Sequence, residues 1–200
     1  MPVSTSDQRQ ALRKHIRHQR RSLSEQDQQY AAAQLLMRFQ QSDSVSQAKH
    51  IALYLSVDGE IDTTPLIEHC WITGKSVYLP VLHPFSAGHL LFLHYHQQSI
   101  LLPNRYGILE PKLDVRDVLP VDKLDLICTP LVAFDQTGQR LGMGGGYYDR
   151  TLAPWYETQQ GAKPLGVAHD CQQVDALPIE AWDVPLPEIL TPSRHWHWSV

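Results

Sequence analysis

Five short apolar runs constrain this chain more than anything else in it: KHIALYL, SVYLPVL, HLLFLHYH, LDLICTPLVAF and KPLGVAHD. Four of them are seven or eight residues long, the length of a strand and too short for a buried helix, and the longest, LDLICTPLVAF, carries a proline that a helix interior would not accept. Between several of them lie segments of helical character. TTPLIEHCWITGK suits a helix ended by Gly74, and YYDRTLAPWYE begins another. Strands alternating with helices predict an α/β fold: a single domain, residues 1 to 200, with a central mixed, mostly parallel sheet flanked by helices. LDLICTPLVAF is the best candidate for a strand buried on both faces, FDQTGQRLG reads as a turn between extended pieces, and the stretch through NRYGILEP reads as irregular. In such sheets ligands gather beyond the carboxyl ends of the strands.

Ahead of the sheet, residues 7 to 41 predict helix, broken near Ser22–Ser24 where SLSEQD has the form of a capping sequence. Six of the 17 basic residues fall between positions 9 and 21, leaving 11 basic against 20 acidic residues from 22 onward. On a helical wheel Arg9, Arg13, Arg17 and Arg20 form one stripe beside another of Leu12, Ile16 and Leu23. The helix can dock and still display arginines. Such a stripe seeks an anion: a phosphorylated ligand, a nucleic acid or an acidic surface of the same protein.

RLGMGGGYYDR, residues 140–150, places four glycines within five positions at the start of a helix. Glycine admits positive φ and lets backbone amides approach a ligand, so the loop reads either as an anion site or as a tight strand-to-helix turn. GxxxxGK[ST] is absent, and GxGxxG fails because Tyr147 stands where the last glycine belongs. Asp149 reads as a helix-dipole partner or a ligand for a divalent cation, and Arg140 as a charge neutraliser.

Three widely spaced cysteines without a CxxC pair point to a reduced compartment rather than a disulfide or zinc framework, and Cys128 reads as core. No run approaches ~18 apolar residues, and the opening MPVSTSDQRQ lacks a signal-peptide core, so a cytoplasmic protein without membrane contact is expected. His83, His89, His94 and His96 lack ligand spacing, and HWHW at 195–198 alternates like an edge strand or aromatic tail, so a histidine metal site is not expected.

Taken together, RLGMGGGYYDR after TPLVAFDQTGQ, the amino-terminal RQALRKHIRHQRRSLS, YLSVDGEIDT, YGILEP, and WDVPLPEILTP after KPLGVAHD resemble, in this order, the 5-formyltetrahydrofolate cyclo-ligase family. The resemblance implies ATP-dependent closure of 5-formyltetrahydrofolate to 5,10-methenyltetrahydrofolate, with release of ADP and phosphate, through phosphorylation of the formyl oxygen. It also implies site residues. Arg9, Arg13, and Arg140, Leu141, Gly142, Met143, Gly144, Gly145, Gly146, Tyr147 and Tyr148 would contact ATP, with Arg17 as a helper. Leu55, Glu60 and Met143 through Tyr147 would contact folate, with Tyr106 near the same cleft. Arg140 and Tyr147 would act in catalysis, and Asp149 and Asp183 would hold Mg2+. Two positions depart from the family's usual pattern: Arg9 stands where lysine is frequent, and Gly145 where some relatives carry lysine. Small-molecule substrates, no nucleic acid and a monomer are expected. The alternative is a non-catalytic nucleotide- or RNA-binding protein on the same scaffold, which would need neither Glu60 nor the paired tyrosines.

Overall fold

Capping chemistry divides the amino-terminal segment into two helices. Ser4 accepts a hydrogen bond from the Asp7 amide and starts α1, Thr5–Arg21; Ser24 and Asp27 form a reciprocal capping box that starts α2, Glu25–Gln41. A short α3, Asp43–Gln47, leads into β1, His50–Ala52, and α4, Thr64–Ile72, crosses over to β2, Ser76–Leu82. Gly74 follows α4 at φ +74°, as the sequence suggests. β3, Leu90–Tyr95, returns antiparallel to β2. The stretch expected to be irregular instead holds a small hairpin, β4, Leu101–Pro103, with β5, Leu109–Pro111. Asn104, whose side chain accepts from the Tyr106 and Ile108 amides, closes its turn.

β6, Val118–Leu119, then pairs with β3, and β7, Leu126–Pro130, enters beside β1. The run LDLICTPLVAF is therefore split: β7 ends at Pro130, and β8, Ala133–Phe134, begins a second hairpin with β9, Arg140–Leu141. Next come α5, Tyr147–Thr158, β10, Lys163–Val167, β11, Glu188–Leu190, and β12, His195–His197. The main sheet runs β12-β11-β10-β7-β1-β2-β3-β6. Its five central strands, β11 to β2, are parallel, and antiparallel strands cover both edges. The computed structural model describes residues 4–198; residues 1–3 and 199–200 of the expected unit lie outside the described residues.

Strand alternation assigns the core to two faces. Ile51, Leu53, Val77, Leu79, Leu126 and Cys128 pack with Leu35 and Phe39 of α2 and Leu66 and Cys70 of α4. Ala52, Tyr78 and Ile127, one residue out of phase, pack with Leu152 of α5 on the other face. A third cluster joins Ile16 and Leu12 of α1 to Val132, Ala133 and Leu141 of the β8–β9 hairpin. That contact moors α1 across the end of the sheet.

One consequence of this strand order positions the site. From β1 the chain moves to β2 on one side, while β7 lies on the other. The loops leaving the carboxyl ends of β1 and β7 therefore diverge around a crevice, as at the switch point of any open α/β sheet. The first carries Leu55–Glu60; the second leads through the hairpin to the glycines.

Candidate functional site

The glycine loop joins β9 to α5, and two of its residues have backbones that side chains resist: Gly144 at φ +100° and Gly146 at φ +65°. Gly146 is the N-cap of α5 and offers no side-chain acceptor, so the first-turn amides of that helix are left without a side-chain cap. The carbonyls of the loop are turned toward arginines. Arg13 Nε donates to Gly142 O at 2.8 Å, and Arg150 donates to Gly145 O at 2.5 Å while also binding Gly88 O at 2.7 Å. Amides without a side-chain cap and the positive end of the helix dipole are the elements from which an anion site can be built. A Cβ on Gly145 would lie 2.8 Å from the Tyr147 ring. The tyrosine thus takes the space that a lysine at this position would need.

The arginine stripe of α1 divides into three fates. Arg9 is buried and forms a two-pronged pair with Asp183, at 2.5 and 2.9 Å, with a further bond to Pro178 O. Arg17, Arg20 and Arg21 all converge on Asp58, and Arg20 is fully buried, with its Nε on Asp58 O. Of the three kinds of anion such a stripe could seek, most of its charge meets acidic groups of the same chain. Arg13 and Lys14 differ. Neither has a carboxylate partner among the described residues, and both line a cleft of about 380 Å³ together with Arg17, Arg21 and Met143. Lys14 belongs to the basic segment but follows Arg13 by one residue, about 100° round the helix, so the wheel sets it apart from the arginine stripe and only the structure brings both to this cleft.

Asp58 explains why the loop after β1 holds its shape. It adopts φ +57°, which a non-glycine residue maintains only under constraint. Burial would raise its pKa, but hydrogen bonds from Arg17, Arg21 and Arg20 outweigh this and hold the carboxyl down at about 2. Two residues on, Glu60 is nearly enclosed: Oε2 accepts the Val57 amide at 3.1 Å and Oε1 lies 3.7 Å from Arg20. Burial raises the Glu60 pKa, partly offset by Arg20. Burial and then the Glu60 charge push the Tyr54 and Tyr148 hydroxyls up, so all three groups share one neighbourhood. Leu55 is half-buried beside them. The sequence offered a signal for Asp58 in the Asp-Gly pair before Glu60, but none for its three partners.

Tyr147 faces outward. Its hydroxyl receives a hydrogen bond from Arg105 at 2.6 Å and sits 3.3 Å from that of Tyr106, contacts that lower its pKa. Tyr106 thereby joins the site through the turn of the β4–β5 hairpin. Arg140, by contrast, is 3% exposed and held by Val184 O and Asp149 Oδ1, the latter at 2.5 Å. Leu141 beside it is buried in the α1 contact. Asp149 and Asp183 are neighbours behind the loop: both carboxylates act on Arg9 and Arg140, and Asp149 also accepts the Val184 amide. Their donor set, carboxylate oxygens only, is that of a hard cation such as Mg2+. Asp183 has both oxygens engaged by Arg9, whereas Asp149 keeps Oδ2 without a hydrogen-bond or ion-pair partner among the described residues.

Residues 5–192 match the 5-formyltetrahydrofolate cyclo-ligase family. The chain is 59% identical over 185 residues to 5-formyltetrahydrofolate cyclo-ligase of Escherichia coli K12, covering 92% of this chain and 100% of that one. It is 49% identical over 185 residues to the Haemophilus influenzae protein of that name, covering 92% and 98%. The fold is similar to that of Aquifex aeolicus 5,10-methenyltetrahydrofolate synthetase, with TM-score 0.79, 30% identity, and 94% and 92% of the two chains covered. A 5,10-methenyltetrahydrofolate synthetase from Mycoplasma pneumoniae is also similar, at TM-score 0.71, 25% identity, and 92% and 98% coverage. With the glycine loop, the Glu60 loop and the basic first helix all inside the matched residues, the chain belongs to the 5-formyltetrahydrofolate cyclo-ligase family.

Proposed function

We propose that this chain closes 5-formyltetrahydrofolate to 5,10-methenyltetrahydrofolate at the expense of ATP, releasing ADP and phosphate. One observation carries the ATP-dependent part. An arginine without a carboxylate partner, Arg13, lies against a glycine loop at a helix N-terminus that has no side-chain cap. Its Nη2 is 3.6 Å from where a Gly144 Cβ would stand, so it borders the surface on which a triphosphate would lie.

The reaction needs positioning and charge neutralisation more than covalent help. The formyl oxygen attacks the γ-phosphorus and ADP leaves. Nitrogen 10 then attacks the formyl carbon, loses its proton, and phosphate departs with the formyl oxygen. In this reading Arg13, Lys14 and the loop amides bind the phosphates, and Glu60 accepts hydrogen bonds from pterin N–H groups in a shielded pocket floored by Leu55 and Tyr148. Tyr147, steered by Arg105 and Tyr106, stands at the loop where the two substrates meet. Arg140, enclosed and bound to Asp149, acts as a positioning residue for that carboxylate. Asp149, with Asp183 behind it, would hold Mg2+, which when bound supplies positive charge to the phosphate oxygens. Arg9 then orients Asp183 in place of touching phosphate directly.

The deciding experiment is the absorbance of methenyltetrahydrofolate formed from 5-formyltetrahydrofolate, with and without MgATP. Product only with both present, matched by ADP, is expected. Product without nucleotide, or nucleotide hydrolysis without product, would remove the coupled reaction.

A further inference from the structure

The tail HWHW, which sequence alone reads as structural, does form the edge strand β12, and that is why its histidines matter. Residues i and i+2 of a strand point to one face, so His195 and His197 stand side by side with ring centroids 3.7 Å apart. Antiparallel pairing sets Glu188 of β11 opposite His197. His195 Nε2 lies 3.1 Å from Glu188 Oε2 and His197 Nδ1 lies 4.0 Å from Oε1. One ligand atom from each of the three residues falls within 4.8 Å of the others.

This cluster is far from the crevice in the topology. Glu188 opens β11 and Lys163 opens β10, so both mark the amino ends of parallel strands, whereas the glycine and Glu60 loops leave carboxyl ends. The histidines also fall beyond residue 192, where the family match stops.

We propose that Glu188, His195 and His197 form a binding site for a divalent transition metal of the zinc type, joining β11 to β12. Two imidazoles and one carboxylate are a donor set that zinc accepts, with room left for a water. Ligand atoms around a tetrahedral zinc at about 2.05 Å are separated by about 3.3 Å. The pair at 3.1 Å already meets that spacing, and the pair at 4.0 Å closes by a small turn of His197, whose side chain is 60% exposed. A cleft lined by Gln41, Ser42, Asp43, Ser44 and Lys163 adjoins the three residues.

Glu188 also holds Ser44 Oγ, at 3.0 and 3.2 Å, and the Lys163 ammonium. Ser44 anchors the carboxylate and is compatible with metal. Lys163 is a competitor: it occupies Oε1 as the metal would, and its side chain is 40% exposed, so it can swing into solvent.

The test titrates the full chain, after removal of metal with EDTA, with zinc chloride by calorimetry near neutral pH, with thermal unfolding alongside. One zinc per chain and a rise in Tm with zinc concentration are expected. His197→Ala, at an exposed position, should weaken binding at least as much as loss of a hydrogen-bond partner of a metal ligand does, roughly 10–100-fold, without lowering the Tm of the metal-free protein. Lys163→Gln should tighten binding by removing the competing charge. His94→Ala with His96→Ala should leave it unchanged. No saturable binding by the parent chain, or undiminished binding by His197→Ala, overturns the site; loss through the His94 and His96 changes instead assigns the zinc elsewhere and overturns it equally.

Discussion

Arg13 and Arg20 stand seven positions apart on one helix and do opposite work. Arg20 lies fully buried between the Asp58 loop and Leu131 O, and so ties together the two loops that form the crevice. Arg13 has no carboxylate partner among the described residues and borders the glycines. Its replacement by alanine should raise the KM for ATP by about 10–100-fold, the equivalent of one charge-assisted hydrogen bond of roughly 1.5–3 kcal/mol, while the folate KM moves little. Tm should stay close to that of the parent, since only one bond to Gly142 O is lost; equal losses for both substrates, or unfolding, would make Arg13 structural. Glu60→Gln is the complementary change. If the carboxylate receives pterin N–H groups, folate affinity measured by calorimetry falls by about 10–100-fold, again roughly 1.5–3 kcal/mol, and ATP affinity is retained. Unchanged folate affinity would take Glu60 out of the pocket.

At the scale of the element, the segment from Gly142 into α5 depends on backbone conformation more than on space. A Cβ on Gly144 would meet nothing closer than 3.6 Å, yet φ there is +100°. A β-branched residue resists that value by about 1–3 kcal/mol, and the loop relaxes to another path. Gly144→Val should therefore keep a cooperative fold with a modestly lowered Tm and lose turnover by more than about 100-fold, as the amides leave their places. Gly142→Ala is the control, because its φ lies outside the left-handed range and the nearest atom to an added Cβ is 3.8 Å away. Normal turnover by Gly144→Val would sink the phosphate-loop reading. The same element shows what could be read directly from sequence. The glycines placed both the loop and the start of α5 after it, but Arg150 as the strut linking Gly145 to Gly88 lies 62 residues from its second contact and left no local signal.

For the whole molecule, acid should cost stability in two steps, offset in part by Glu60, whose pKa, raised by burial, favours the folded state as pH falls. His169, buried at the end of β10, has its pKa lowered from 6.5 to about 4 by burial and then by Arg20. The unfolded chain binds this proton first, so stability present above pH 6.5 is lost as pH falls toward about 4. Asp58 and Glu188, each held at about 2 by their basic partners despite burial, add a second loss below their unfolded values of 3.8 and 4.5. Tm measured from pH 8 downward should start to fall below about pH 6.5, and His169→Gln should flatten that first limb only. A flat profile down to pH 4 in the parent would contradict the His169 environment. By itself the sequence determined the α/β class, the amino-terminal helices with the capped break between them and the position of the glycine loop, because periodicity, caps and glycine act over a few residues. It also carried the family, through motifs that keep their order. Only the tertiary structure decided what each charge faces. Arg9 meets Asp183 across 174 residues and Arg20 meets Asp58 across 38, while Glu188 and His195 meet because β11 and β12 pair at the sheet edge. A helical wheel states which side a residue occupies; which chain segment lies opposite follows from strand order and burial, and those are properties of the assembled sheet.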